Sequence, residues 1–304
     1  MEYDIIIIGA GPAGLTSWIY AGRQNSKTLI IDKGITGGLG LEVPEMENYP
    51  GIPNINGMTL IKDTKEQCLK YNVDIHEFEE IKQIKTGEKF TVSTNKDTYT
   101  TSSIIIATGS THRKLTVPGE EEYLGKGVSY CATCDGMFFK DKNVIVVGGG
   151  NTATQEAIYL SNLGCKVTIV HRRDSLRSQK YLQDLVKEKN INIIWNSNVI
   201  EIKGEQKVES VILKDNTGKI SEIQSDAIFV AIGDIPQNEI GKLLNVKLDE
   251  NGYIITDKEQ KTNIPYVYSA GDVTGGVKQW IVACGEGAVA STSAFNDLQK
   301  KIKN

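Results

Sequence analysis

"YDIIIIGAGPAGLTS", residues 3–17, passes from an unbroken β-branched run into a glycine turn and then into helical spacing. A short buried strand, three small residues at G-x-G-x-x-G and a helix make up the unit that binds a dinucleotide. Gly9 permits the tight turn, and Gly11 lets a pyrophosphate approach the backbone. Gly14 keeps helix and strand close, and Pro12 and Ala13 fall in the same turn, where free helix amides hold phosphate. A single motif of this kind could be only a tight turn. The chain repeats it: "KNVIVVGGGNTATQE", residues 142–156, again gives strand, turn and helix. There Gly148, Gly150 and Ala153 fill the small positions, with Asn151 and Thr152 between them. Ala153, Ala157 and Leu160 share one helix face.

Each copy has a second strand, "TLIID" at 28–32 and "KVTIVHRR" at 166–173. Counting 23 residues from Gly9 reaches Asp32, and the same count from Gly148 reaches His171. Asp32 suits a ribose 2′-hydroxyl. The second copy instead offers His171, Arg172 and Arg173, with Arg177 following, and guanidinium groups bind a 2′-phosphate by charge-assisted bonds. The first site is therefore expected to take FAD and the second NADPH rather than NADH. Three further strand ends close in small residues, where backbone passes near a ligand. They are Ala107, Thr108 and Gly109 in "SSIIIATGS", Ile232 and Gly233 in "DAIFVAIGDIPQN", and Gly271 and Asp272 in "VYSAGDV". Asp272 reads as an acceptor for the ribityl chain or as a helix cap.

"VSYCATCDGMFF", residues 128–139, sets Cys131 and Cys134 three apart with Asp135 after them. Such a pair is a metal corner or a redox dithiol. A zinc site needs four ligands and no second C-x-x-C is present. A dithiol can close a small ring and attack a partner disulfide through a thiolate, and an adjacent acid can supply the proton. The other cysteines, Cys68, Cys165 and Cys284, lie in apolar or helix-like surroundings and read as buried small hydrophobes. A net charge of −4 argues against nucleic acid or an anionic membrane as partner. No apolar run reaches the length of a membrane span. Glu2 and Asp4 stand where a signal segment needs basic residues, so a cytoplasmic location is expected.

These patterns predict an α/β protein of two Rossmann-like, three-layer ββα nucleotide-binding domains. Residues 1–114 and 243–304 are expected to form a discontinuous FAD domain, with 115–242 inserted as the NADPH domain carrying the cysteine pair. The two crossings allow a hinge.

The FAD fingerprint, "CATCD" ahead of "VIVVGGGNTA", "HRRDSLR" at 171–177, "ENYPG" at 47–51 and "AGDV" at 270–273 together resemble the low-molecular-weight thioredoxin reductases, of the pyridine nucleotide-disulfide oxidoreductase type. The resemblance covers essentially the whole chain. It implies a homodimeric flavoenzyme passing electrons from NADPH to FAD, to a Cys131–Cys134 disulfide and on to thioredoxin. It also implies that Cys134 faces the flavin, that Asp135 is the acid, and that the inserted domain rotates between two positions. Asn48 in "ENYPG" and Lys278, Gln279 and Trp280 after "AGDV" fall near the flavin by the same match. Two departures stand out: Leu39 replaces a common glutamine, and Lys278-Gln279-Trp280 replaces Arg-Gln-Ala. They leave room for a relative fed by ferredoxin or a second flavin, although such relatives typically lack the arginine cluster. A reductase serving a peroxiredoxin usually carries an extra amino-terminal thioredoxin-like region, whereas this chain begins at the FAD motif. A non-catalytic flavin redox sensor would leave the intact NADPH site and the acid beside Cys134 without a use.

Overall fold

The computed structural model describes residues 1–43, 46–71 and 74–303; Pro44, Glu45, Asn72, Val73 and Asn304 lie outside the described residues. In chain order the elements begin with β1 (Glu2–Ile8), α1 (Pro12–Arg23), β2 (Thr28–Ile31), α2 (Gly57–Cys68), β3 (Asp74–His76), β4 (Ile81–Lys85), β5 (Phe90–Thr94) and β6 (Thr98–Ile106). Next come β7 (Ser110–His112), β8 (Val128–Ser129), the one-turn α3 (Ala132–Asp135), β9 (Asn143–Val147), α4 (Asn151–Asn162), β10 (Lys166–Val170), α5 (Lys180–Glu188) and β11 (Asn192–Ile194). The last are β12 (Ser197–Gly204), β13 (Val208–Asp215), β14 (Ile220–Gln224), β15 (Ala227–Val230), β16 (Asp234–Pro236), α6 (Glu239–Leu243), β17 (Val267–Ser269) and α7 (Trp280–Lys303).

The chain forms two compact units, Met1–Thr111 with Ile235–Asn304, and His112–Asp234. They divide at 111/112 and 234/235, where the sequence placed the boundaries at 114/115 and 242/243. The backbone explains the difference. Gln237 donates its amide to Gly109 at 3.0 Å within the first unit, and Arg113 donates to Gly233 at 3.0 Å within the second. Residues 235–242 thereby belong with the first unit.

In the first unit the strand order is β3-β2-β1-β6-β5-β4, with β17 on β6. β1 runs parallel to both neighbours, so Ile7 lies opposite Ile30 and Ile105. Side chains alternate across a strand, which divides the four isoleucines between two faces. Ile5 and Ile7 meet Leu15 and Trp18 of α1 and Ala290 and Ala294 of α7. Ile6 and Ile8 meet Val92, Tyr99 and the loop residues Leu244 and Ile254. Burial on both faces is why β1 reads as continuous hydrophobic sequence rather than as an alternation.

The second unit repeats the plan as β11-β10-β9-β15-β8, all parallel. One face carries Ala153, Ala157 and Leu160 of α4. Against the other, Val199, Ile202, Val211 and Leu213 of the antiparallel β12-β13-β14 sheet cover Ile145 and Val147, completing three layers. In each unit the chain winds outward from the central strand, β1 or β9, and later returns on its other side. The carboxyl ends of β1 and β9 are therefore topological switch points, where such folds bind ligands.

Candidate cofactor and redox sites

Both glycine turns lie at these switch points. Gly9 has φ +105° and Gly148 has φ +152°, and a methyl on either would meet the carbonyl oxygen of Ala107 at 2.3 Å or of Ala231 at 2.4 Å. The middle glycines differ in kind. A methyl on Gly11 would meet nothing nearer than 3.9 Å, and one on Gly150 nothing within 4 Å. The chain itself does not fill that space, which suits the approach of a pyrophosphate. Gly11 and Gly150 are also the N-caps of α1 and α4, and neither helix has a side-chain cap. Their first amides are left for an anion.

In the first unit Asp32 accepts the Ala10 amide at 2.7 Å and the Gly34 amide at 2.7 Å. It braces the glycine turn, and its remaining lone pairs suit a ribose hydroxyl. Thr108 is tied by its hydroxyl to the Gln237 carbonyl at 2.6 Å. Asp272 accepts from Ser110 at 3.3 Å and begins a 3-10 turn whose N-cap is Gly271, so it is not the cap itself. The altered segment is engaged by the chain. Lys278 donates to the Tyr253 hydroxyl at 2.7 Å, and Gln279 accepts from Asn48 at 2.9 Å. Trp280 packs over Gly40, where a methyl would come within 2.8 Å of its ring, and joins the α1 and α7 core. Gly40 follows Leu39 in the chain, so Trp280 packs on the segment that carries the other departure.

In the second unit the ring of His171 is buried, 4% exposed, directly beneath the glycine turn. A methyl on Gly149 would lie 2.3 Å from it. One ring nitrogen lies 3.1 Å from the Ser175 carbonyl, and Arg177 donates its amide to Gly149 at 2.7 Å. Burial, then the nearby arginines, pushes the His171 pKa below its ordinary value. His171 thus shapes the loop as a neutral ring. Arg172, Arg173 and Arg177 are all exposed, and among the described residues none is ion-paired. Gly233 has open space around it, and Asn151 turns its side chain to the Gln179 amide at 2.8 Å.

Cys131 and Cys134 form a disulfide, with Cα atoms 5.3 Å apart, at the start of α3. Asp135 follows on the same turn. Ser129 donates to one of its oxygens at 2.6 Å, while the other is buried without a partner. Burial pushes the Asp135 carboxyl up, as an acid that must hold a proton requires. The remaining cysteines are thiols: Cys68 donates to the Leu15 carbonyl at 3.5 Å and Cys165 to that of Phe139 at 3.0 Å.

Two carboxylates escaped the sequence reading. Glu286 of α7 accepts the Gly271 amide at 2.7 Å, holding the turn before Asp272. Its only sequence signal is a charge inside "ACGEGAVA". Glu156 of α4 lies near the backbone of Ala132, the residue after Cys131. Its signal was its spacing, three residues after Ala153 and four before Leu160, on the apolar face.

No helix among the described residues is long and apolar enough to cross a membrane. The chain is 43% identical over 298 residues to a thioredoxin reductase of Treponema pallidum, covering 96% of each chain. It is 40% identical to one from Bacillus subtilis, covering 99% of this chain and 97% of the relative. The solved thioredoxin reductase of Streptococcus pyogenes MGAS5005 superposes with a TM-score of 0.92 at 40% identity, covering 98% of this chain and 99% of that one. The family model for pyridine nucleotide-disulphide oxidoreductases matches residues 3–287, and the chain, with its doubled dinucleotide fold and its cysteine pair, belongs to that family.

Proposed function

We propose that this chain is an NADPH-dependent thioredoxin-disulfide reductase and a flavoprotein. The observation that carries the reading is the Cys131–Cys134 disulfide with the buried acid Asp135 on the same turn, in a unit that also presents three arginines, without ion pairs among the described residues, beside a glycine turn. FAD would lie on the first unit, its pyrophosphate over Gly11, Pro12, Ala13 and the first amides of α1, and its adenosine ribose near Asp32. Ala107, Thr108, Gly109, Gly271 and Asp272 would hold the rest, and Asn48, Gln279, Lys278 and Trp280 would frame the ring. NADPH would lie over Gly150, Asn151, Thr152 and Ala153, with its 2′-phosphate on Arg172, Arg173 and Arg177. Bound FAD supplies a two-electron carrier between nicotinamide and disulfide.

The protein's own part is proton and position. Opening the disulfide leaves one sulfur as a thiolate, and Asp135 holds the proton that this sulfur needs as a thiol. The partner's disulfide is reduced by thiol–disulfide exchange: one thiolate attacks, a mixed disulfide forms, and the second cysteine displaces it. Homodimeric assembly and a cytoplasmic location belong to the same reading.

The test is oxidation of NADPH that depends on oxidised thioredoxin. Cys131→Ser and Cys134→Ser are each expected to abolish it while the protein stays yellow. Thioredoxin-dependent turnover surviving in both variants would sink the reading.

A further inference from the structure

A carboxylate that the reaction above does not use lies on α4, the helix against which the cysteine turn α3 packs. Glu156 sits on α4 where α3 crosses it: Gly136, just past α3, leaves only enough room to rest on Leu160, one turn further along. A methyl on Gly136 would lie 2.9 Å from that leucine. Ala132, the residue after Cys131, is buried against Ala153, Ala157 and Leu160 of α4, the helix that carries Glu156. One carboxylate oxygen of Glu156, Oε2, is sealed from solvent and has no hydrogen-bond partner. No basic side chain pairs with Glu156 among the described residues. The charged group that acts on it is an acid. Asp234, at the end of the second unit, pushes Glu156 the same way as burial does. His112 lies 2.8 Å from Asp234 and is the base on that side.

A buried carboxylate without a cation is a poor neighbour for a second negative charge. Reducing the disulfide creates one, because a thiolate forms on the turn that packs against α4. We propose that Glu156 is a positioning residue whose protonation is coupled to reduction of the Cys131–Cys134 bond, taking up a proton as the thiolate forms. With a dithiol donor the step balances. The Cys131–Cys134 bond breaks and the donor's two sulfurs join. One donor proton ends on a cysteine thiol and the other on Glu156, while the second cysteine remains a thiolate. Burial, helped by Asp234, already pushes the Glu156 carboxyl up to about 7 with the disulfide closed, so the exchange falls in the neutral range.

The inference rests on the redox reading of the cysteine pair, and its test separates the two. The flavin-loaded protein is equilibrated with reduced and oxidised dithiothreitol from pH 6 to 8.5, quenched in acid, and its free cysteines are counted by alkylation and mass. The equilibrium constant of Glu156→Gln, which keeps the size of the side chain without its charge, should match that of the native protein at pH 6. It should then rise above the native constant with pH, by about tenfold for each unit by which reduction raises the Glu156 pKa. A ratio that stays constant with pH overturns the inference, because a merely structural role shifts the constant equally at every pH. A pair that no dithiol reduces would instead overturn the redox reading. Should Glu156→Gln fail to bind flavin, Asp234→Asn carries the test: removing that charge should move the native profile to lower pH, and an unmoved profile counts against the proposal.

Discussion

Arg172, Arg173 and Arg177 are three cations on one loop without an anion among the described residues, and the loop is pinned from below. The Arg177 amide bonds to Gly149, and the His171 ring fills the space that any side chain at Gly149 would need. The guanidinium groups are therefore held beside the glycine turn at no cost in pairing, and a 2′-phosphate would supply the missing charge. Changing Arg172 and Arg173 together to alanine should raise the KM for NADPH by roughly tenfold to a hundredfold, since hydrogen bonds to charged groups contribute about 1.5–3 kcal/mol. The KM for NADH should change little. Initial-rate kinetics with both nucleotides check this, and an equal rise for the two would remove the arginines from the 2′-phosphate. The sequence revealed these residues because their offset from Gly148 matches that of Asp32 from Gly9. The part played by His171 was hidden. Its place in the string is that of a ligand, and only the packing of its ring under Gly149 shows that it supports the loop.

At the scale of elements, α3 is too short to stand alone, and it is held on α4 by Gly136 against Leu160 and by Ala132 packed among Ala153, Ala157 and Leu160. Glu156 of the same helix has a consequence for stability. Burial first, and Asp234 after it, raise the folded pKa of Glu156 to about 7, above its ordinary 4.5. The folded state then holds the proton where the unfolded chain releases it. The contribution is fully present below pH 4.5, is lost as pH rises from 4.5 to 7, and is level above that. In this window the native protein should lose up to about 1.4 kcal/mol per pH unit relative to Glu156→Gln. Denaturant unfolding at pH 5 and pH 7 measures the difference, and parallel pH dependence in the two proteins would refute it. Strands and turns were legible in the sequence because β1 and β9 are buried on both faces and their glycines answer to local geometry. Glu156 was not, because one helix face shows which residues are buried but not that a carboxylate among them is sealed in without a partner for one oxygen. The boundary near residue 235 was obscure for a similar reason. "DIPQN" continues the strand pattern of the second unit, yet the Gln237 amide bonds to Gly109 in the first.

Across the whole molecule the same topology appears twice, and each copy encloses its own cores. The clusters around Trp18 and Tyr99 draw only on residues of the first unit, and those around Phe229 and Val211 only on residues of the second. A unit with a complete core and a contiguous chain can fold by itself. The excised segment 112–234 should therefore unfold in a single cooperative transition by circular dichroism, and a featureless melt would show that its core needs the rest of the chain.

The central claim is a path for electrons from NADPH through a bound flavin and the Cys131–Cys134 pair to thioredoxin. Anaerobic absorbance of the yellow protein tests it most directly. NADPH should bleach the flavin band at concentrations where NADH does not, and oxidised thioredoxin should restore it. A flavin that dithionite reduces but NADPH leaves untouched would contradict the account and turn attention to the segment after Leu39, where Trp280 packs over Gly40.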